Sequence, residues 1–204
     1  MSKPPIVAVT GGKGGVGKTT VAVGLALAFV RRGLSVLLVD ADVDNPNCHE
    51  LLGVSVEKLA DVTSFLPAID ESRCTGCGIC VGICPDFALL IKPGEAPKVV
   101  ESRCSGCMAC SFACQVGAII RSTKVLGELF TAARYNLRLI GGKLKPGEAR
   151  SPLVVDALLK RAMAERGDYD VLVIDSAPGL GNAVVRALRV ADLAVVVTKP
   201  TPLG

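Results

Sequence analysis

The chain has 204 residues, of which half are hydrophobic and 3% are aromatic, and its formal net charge at pH 7 is +4. A composition this rich in apolar residues excludes a disordered chain. The longest apolar run, residues 21–30, is about half of the roughly 20 residues that a membrane-spanning helix needs. No signal-peptide pattern is visible, so the sequence predicts a cytoplasmic protein without a membrane span. The mild charge and the scarcity of aromatic residues do not indicate nucleic-acid binding.

The first forty residues alternate between strand and helix patterns. Ile6–Thr10 is a β-branched run that predicts a buried strand, and residues 17–32 predict a helix that ends at Gly33. Residues 35–39 predict a second strand, so the three elements form a βαβ unit with parallel strands and a right-handed crossover. Because the core must be built from Ala, Val, Leu and Ile, we expect a buried parallel sheet that is covered by helices.

A glycine-rich loop separates the first strand from the first helix. Its sequence is G-K-G-G-V-G-K-T from Gly12 to Thr19, which matches the phosphate-loop pattern G-x-x-x-x-G-K-[ST]. Backbone N–H groups of such a loop bind phosphate oxygens, whereas a glycine-rich turn without a ligand is the alternative. We expect Lys18 to contact the β- and γ-phosphates of ATP or ADP and the Thr19 hydroxyl to coordinate Mg²⁺. The predicted nucleotide-binding residues are Gly12, Lys13, Gly14, Gly15, Val16, Gly17, Lys18, Thr19, Thr20 and Asp40.

Acidic side chains follow two of the predicted strands. Asp40, Asp42 and Asp44 come after the second strand, and Asp175 follows the apolar run at residues 171–174. Carboxylates at the ends of strands beside a phosphate loop can hold the waters of Mg²⁺ or orient the attacking water. Asp175 fits a Walker B carboxylate in the Mg²⁺ shell. For Asp40 and Asp44, an ordinary loop cap or a solvated side chain is an equally open alternative.

Two features of these segments resemble the MinD/ParA family of P-loop ATPases, to which the nitrogenase iron protein also belongs. Lys13 lies inside the phosphate loop, as in the deviant Walker A loop of that family, and residues 39–47 and 176–179 resemble its switch I and switch II. The resemblance implies a homodimer bridged by nucleotide, in which Lys13 reaches the partner's nucleotide. It also implies that Asp42 positions the attacking water. The catalytic residues expected from these patterns are Lys13, Lys18, Asp42 and Asp175.

Cys48 and His49 directly follow the acidic segment, and His49 is the single histidine of the chain. An isolated cysteine is usually an inert buried side chain, and an isolated histidine is usually a satisfied surface residue. Metal ligation by the pair is therefore the less favoured alternative. The P-N-x-H stretch resembles the switch region of ferredoxin-bearing MinD-type ATPases, and this resemblance implies that His49 relays the nucleotide state.

The middle of the chain contains a 30-residue repeat. The sequence E-S-R-C-T-G-C at residues 71–77 recurs as E-S-R-C-S-G-C at residues 101–107, and the correspondence continues to Ala88 and Ala118. No long helical period occurs within residues 57–121. Two copies of one small unit predict a pseudo-twofold module that arose by duplication.

Eight of the nine cysteines lie in this repeat, with the spacing C-x₂-C-x₂-C-x₃-C in each copy. Cysteines of a cytosolic protein stay reduced, so such clusters indicate metal binding rather than disulfides. The spacing is that of bacterial ferredoxins, in which the fourth cysteine ligates the other cluster. Two Cys₄ zinc sites and four disulfides are the less favoured alternatives. The predicted cofactors are two 4Fe-4S clusters, one held by Cys74, Cys77, Cys80 and Cys114, the other by Cys104, Cys107, Cys110 and Cys84.

The last part of the chain returns to the alternating pattern. The predicted elements are a helix at 153–166, a strand at 171–174, a helix at 181–190 and a strand at 193–197. The expected fold class is α/β, a P-loop NTPase parallel sheet with an inserted small α+β bacterial ferredoxin-like domain. The predicted boundaries place the P-loop ATPase at residues 1–60 and 125–204, with a truncated C-terminus, and the inserted two-cluster domain at residues 61–124.

The whole chain resembles MinD-superfamily P-loop ATPases that carry an inserted ferredoxin domain. The resemblance implies ATP hydrolysis coupled to electron transfer through the two clusters, with a redox protein as partner. Iron–sulfur cluster assembly or delivery to an acceptor protein, and redox-sensing regulation, are the alternatives. Electron transfer is favoured at this point, because fully ligated clusters suit a relay and no separate C-x-x-C pair is present to hold a labile cluster. The basic stretch at residues 121–166 predicts a solvated helical surface, or else a docking face for an acidic partner.

Overall fold

The computed structural model describes residues 3–200, in which strands and helices alternate along most of the chain. The strands are β1 (Ile6–Thr10), β2 (Val36–Ala41), β3 (Glu57–Ile69), β4 (Leu89–Leu90), β5 (Lys98–Val99), β6 (Ile119–Arg134), β7 (Leu137–Leu144), β8 (Val171–Ser176) and β9 (Leu193–Val196). The helices are α1 (Lys18–Arg31), α2 (Cys48–Leu52), α3 (Ile79–Gly82), α4 (Ala109–Ala113), α5 (Ser151–Glu165) and α6 (Asn182–Arg189). Within residues 3–200, no helix has both the length and the apolar character needed to cross a membrane.

Seven of the described strands form one sheet in the order β3-β6-β7-β2-β8-β1-β9. β1 pairs in parallel with β8 and β9, and β2 pairs in parallel with β7 and β8. β6 runs antiparallel to β7, so the expected parallel sheet is mostly, but not entirely, parallel. The carboxyl ends of β1, β2 and β8 meet at one edge of the sheet, which is where open α/β sheets bind ligands.

The three central strands are buried on both faces. Every residue of β1, β2 and β8 is buried. Val36 and Leu38 pack in one core cluster with Ala22 of α1. Leu37 and Val39 alternate with them and so point to the opposite face of the sheet. Strands that are covered on both faces have continuous apolar sequences, which explains why runs rather than alternating patterns predict them.

The described residues divide into two compact units. One unit lies within Met1–Val62 and Gly127–Gly204 and contains most of the large sheet, and the other is Thr63–Leu126. The second unit contains α3, α4 and an antiparallel pair of β4 with β5, in which Leu89 is opposite Val99. The buried residues of its small core are Phe65, Leu89, Cys110 and Ile119.

The sequence repeat of the second unit is also a repeat of backbone conformation. Residues 30 positions apart share a positive φ, which is the left-handed conformation that glycine adopts most readily. The matched pairs are Gly76 with Gly106, Gly78 with Met108, and Phe87 with Gly117. In addition, the backbone N–H groups of Ala88 and Ala118 donate to the Sγ atoms of Cys84 and Cys114 at 3.3 and 3.2 Å. The two copies therefore fold alike.

Strands β3, β6 and β7 of the large sheet are not predicted by the sequence patterns. In β7 two adjacent glycines, Gly141 and Gly142, weaken the local strand signal. Packing requires both of them, because the Phe130 ring of β6 occupies the space of a Cβ at Gly141, and Val43 and Val154 occupy that space at Gly142. Tertiary contacts therefore override the local propensity of β7.

The close approach of Gly141 to Phe130 can be tested by substitution. Gly141→Ala should lower the free energy of unfolding by about 1–3 kcal/mol, because the added methyl group overlaps the buried Phe130 ring. Gly24→Ala is a matched control, since Gly24 is exposed in α1 and a Cβ there meets nothing within 4 Å. The control should raise the free energy of unfolding by up to about 1 kcal/mol. Chemical denaturation measures both values, and equal effects would contradict this packing.

Candidate functional site

The glycine-rich loop connects the buried strand β1 to α1. Gly15 and Gly17 have φ values of 71° and 100°, so the loop uses conformations that a residue with a side chain rarely adopts. Gly17 is the N-cap of α1, and the free N–H groups of the helix therefore follow the loop directly. The Lys18 Nζ atom donates a 3.0 Å hydrogen bond to the Lys13 carbonyl, which folds the Lys18 side chain back over the loop.

This loop forms one wall of an open cleft, and the segments after β2 and β8 complete it. The expected site residues that line the cleft are Gly14, Gly15, Gly17, Lys18, Thr19, Thr20, Asp42 and Asp44. Gly12, Lys13 and Val16 are not part of this lining, and Asp40 and Asp175 are buried at the adjacent ends of β2 and β8. A cleft with loop amides, a lysine and carboxylates suits a nucleotide phosphate with a divalent cation.

Two buried carboxylates lie side by side at the ends of β2 and β8. Asp40 is paired with Asp175 in the parallel ladder, and the two residues are 0% and 1% exposed. Burial raises the pKa of Asp40 to about 7 and the pKa of Asp175 to about 6. The Oδ1 atom of each carboxylate has no hydrogen-bond partner. Since buried polar atoms are normally satisfied, the pair fits the shell of a hydrated divalent cation such as Mg²⁺.

Cys48 contacts both of these carboxylates. Its backbone N–H donates to Asp40 Oδ2 at 2.9 Å, and its Sγ atom donates to Asp175 Oδ2 at 3.6 Å. Within residues 3–200, Asp40, Cys48 and Asp175 form a buried group whose ligand atoms are close enough to share one metal ion. The expectation of an inert buried thiol is therefore incomplete. The sequence contains no local signal for this contact, because 127 positions separate Cys48 from Asp175.

His49 faces a different part of the molecule from Cys48. Its ring packs edge-on against Phe130 with the ring centroids 5.7 Å apart, and its Nδ1 atom is buried without a hydrogen-bond partner. At the end of α2, the Arg134 guanidinium donates to the Leu52 carbonyl. Phe130 and Arg134 both belong to β6. Cys48 and His49 therefore have separate partners, and the alternative in which the pair ligates one metal gains no support.

The eight cysteines of the second unit form two spatial sets, and each set draws on both copies of the repeat. One cavity is lined by Cys74, Cys77, Cys80 and Cys114. The pKa of the Cys110 thiol is raised to about 11, first by burial and to a smaller extent by its neighbours Cys104, Cys107 and Cys84. None of the nine cysteines, all of which lie within residues 3–200, forms a disulfide. Each set fits a group that requires four thiolate ligands, while the assignment of the ligands stays a prediction.

A phosphate loop after a buried strand of a mostly parallel sheet, with carboxylates at the ends of two neighbouring strands, defines a P-loop nucleotide-binding domain. The CobQ/CobB/MinD/ParA nucleotide binding domain family matches residues 7–145, so the chain belongs to this family. The expected relation to MinD and ParA proteins is confirmed at this level. The relation to the nitrogenase iron protein and the ferredoxin-like character of the second unit stay predictions.

Individual relatives cover this chain to different extents. An uncharacterised protein of Methanocaldococcus jannaschii is 35% identical over 100% of this chain and 72% of its own length. The iron–sulfur cluster carrier protein of Pyrococcus horikoshii is 26% identical over 95% of this chain, which spans only 51% of the carrier. The septum site-determining protein MinD of Pyrococcus horikoshii, solved with Mg-ADP, matches 97% of this chain and 59% of its own with a TM-score of 0.53. At 20% identity, that match shows a shared fold alone.

Proposed function

We propose that this chain is an ATP-hydrolysing iron–sulfur protein that delivers clusters to acceptor proteins. The observation that carries the proposal is the presence of two four-cysteine sets in a chain that resembles an iron–sulfur cluster carrier over 95% of its length. Sequence reasoning alone favours electron transfer. The similarity to a carrier supports cluster delivery instead. Cluster delivery is therefore the favoured function, and electron transfer is the alternative.

The proposed nucleotide site assigns a role to each residue around the cleft. The loop amides and Lys18 bind the phosphates of ATP or ADP. Thr19 and Asp175 would hold Mg²⁺, which supplies positive charge at the transferring phosphate, and the unpartnered Asp175 oxygen supports this role. Asp42 lines the cleft and orients the attacking water. Lys13 is exposed, which leaves its side chain available to a partner subunit in a nucleotide-bridged homodimer.

The proposed iron–sulfur sites use the two cysteine sets of the second unit. Two 4Fe-4S clusters would bind there. They would be the groups that are delivered to an acceptor protein or, in the alternative function, the groups that transfer electrons. The N–H groups of Ala88 and Ala118 donate to the sulfurs of Cys84 and Cys114, which orients these sulfurs as ligands. Cys77 and Cys107, one in each set, are exposed. Exposure at both sets supports delivery, because an acceptor protein must reach the cluster that it receives.

Electron transfer is the second candidate function, and a specific observation favours it. Each set offers four thiols, which is enough to ligate every iron of a 4Fe-4S cluster. Complete ligation by the chain favours a cluster that is retained rather than released. In this case the partner would be a redox protein, and ATP would control the transfer.

Anaerobic transfer assays separate the two functions. The full-length protein, loaded with iron and sulfide, is mixed with ATP and an apo-protein that accepts a 4Fe-4S cluster. We expect the iron content of the chain to fall and that of the acceptor to rise in an ATP-dependent manner. A parallel assay offers the chemically reduced protein an electron acceptor. ATP-dependent reduction of this acceptor at constant iron content would contradict delivery and support electron transfer.

The two ligand sets predict which cluster depends on each fourth cysteine. Cys84→Ala should remove about half of the bound iron and sulfide, and Cys114→Ala should remove the other half. After reduction, electron paramagnetic resonance should therefore show a different remaining cluster in each variant. The two variants are matched controls for each other, because both replace the fourth cysteine of one copy. Loss of the same cluster in both variants would disprove the crossed ligand sets.

Substitution of the two lysines of the phosphate loop should impair two different steps, ATP binding and ATP hydrolysis. Lys18→Ala should abolish ATP binding, because it removes the cation that faces the β- and γ-phosphates. Lys13→Ala should retain most of the binding but suppress hydrolysis and ATP-dependent dimers. Calorimetry measures binding, phosphate release measures turnover, and sedimentation measures the dimer. Normal hydrolysis by Lys13→Ala in the full-length protein would show that Lys13 does not act across a dimer interface.

A further inference from the structure

The thiol of Cys48 is the buried nucleophilic group that the proposed chemistry leaves unused. It is 0% exposed and lies between two carboxylates that are also shielded from water. Cys48 holds Asp40 through its backbone N–H and Asp175 through its side chain. In both carboxylates the bonded atom is Oδ2, and Oδ1 is unpartnered. One oxygen of each carboxylate is therefore fixed by Cys48, and the other is free for a ligand.

We propose that Cys48 is a positioning residue for the divalent cation of the nucleotide site. By fixing one oxygen of each carboxylate, it sets the orientation in which the free oxygens meet the cation or its waters. The inference rests on the proposed ATP-hydrolysing function. It adds to that function a residue outside the phosphate loop and at the start of α2.

The side-chain donor matters because the Asp175 carboxylate is buried. Asp175 is 1% exposed, so water does not replace a donor that is removed from Asp175 Oδ2. A buried carboxylate oxygen that loses its hydrogen bond keeps the full cost of its desolvation. The carboxylate would then rotate or shift toward other donors, and the geometry around the cation would change. The Cys48 side chain also interacts with Asp40, whereas the backbone N–H bond to Asp40 Oδ2 remains when the side chain is substituted.

Helix α2, which begins at Cys48, also contacts β6. It does so through the ring pair of His49 with Phe130 and through the bond from Arg134 to Leu52. The contacts of Cys48 with the carboxylates and the contacts of α2 with β6 therefore lie on one short helix.

The test compares Cys48→Ala with Cys48→Ser in the full-length protein. Alanine removes the side-chain donor, whereas serine keeps a donor of similar size. We measure the Mg²⁺ concentration that gives half-maximal ATP hydrolysis, and the resonance spectrum of Mn²⁺ bound with ADP to the oxidised protein. Cys48→Ala should raise the half-maximal Mg²⁺ concentration about tenfold and alter the Mn²⁺ spectrum. In Cys48→Ser the half-maximal Mg²⁺ concentration should lie within about threefold of the wild-type value. The affinity for ATP without Mg²⁺ should be unchanged in both variants.

Several outcomes would overturn this proposal. One is a Cys48→Ala variant with the Mg²⁺ dependence and the Mn²⁺ spectrum of the wild type. Another is an equal change in both variants with an equal fall in the unfolding midpoint, which would indicate a packing role. Failure of the proposed function is recognised separately. A wild-type protein that binds Mn²⁺ with ADP but does not hydrolyse ATP would refute the function, while the Mn²⁺ spectra of the variants would still decide the role of Cys48.

Discussion

The pairing of β2 with β8 places two carboxylates against each other where water does not reach. Asp40 and Asp175 are neighbours in this ladder, and burial raises the pKa of both. Two buried like charges are costly without a compensating cation, so the pair suits a divalent cation. β1 pairs with the other side of β8, and its glycine-rich loop is brought next to the same carboxylates. The strand order thus assembles the nucleotide cleft.

Local signals account for what the sequence predicts well. β1, α1 and the phosphate loop are specified by an apolar run, a helical segment and a glycine pattern within thirty residues, and the family match confirms the P-loop domain. Distant contacts account for what it misses. β7 depends on the fit of Gly141 to the ring of Phe130, and the role of Cys48 depends on Asp175, far along the chain. The antiparallel direction of β6 has no local signal either.

In the cysteine-rich unit the two copies of the repeat have similar backbones, and each four-cysteine set combines residues of both copies. At the matched positions both copies have a positive φ. Met108 and Phe87 have a positive φ where the other copy has glycine. In the proposed arrangement, each set of four thiols takes its last member from the other copy. Neither copy alone would then complete a cluster site, so the duplicated unit functions as a whole. Each set also has one exposed thiol, Cys77 or Cys107.

The position of β8 between β1 and β2 also has a consequence for biosynthesis. Residues 42–170 separate β2 from β8, so the two N-terminal strands are made long before their central neighbour. At about 5–20 residues per second, this delay lasts several seconds. Parallel pairing over such a separation is slow and leaves apolar strand edges exposed in the meantime. The unit Thr63–Leu126 emerges within that interval, and its contacts span a short stretch of chain. The two four-cysteine sets of that unit are therefore synthesised, and can come together, before the nucleotide site is complete.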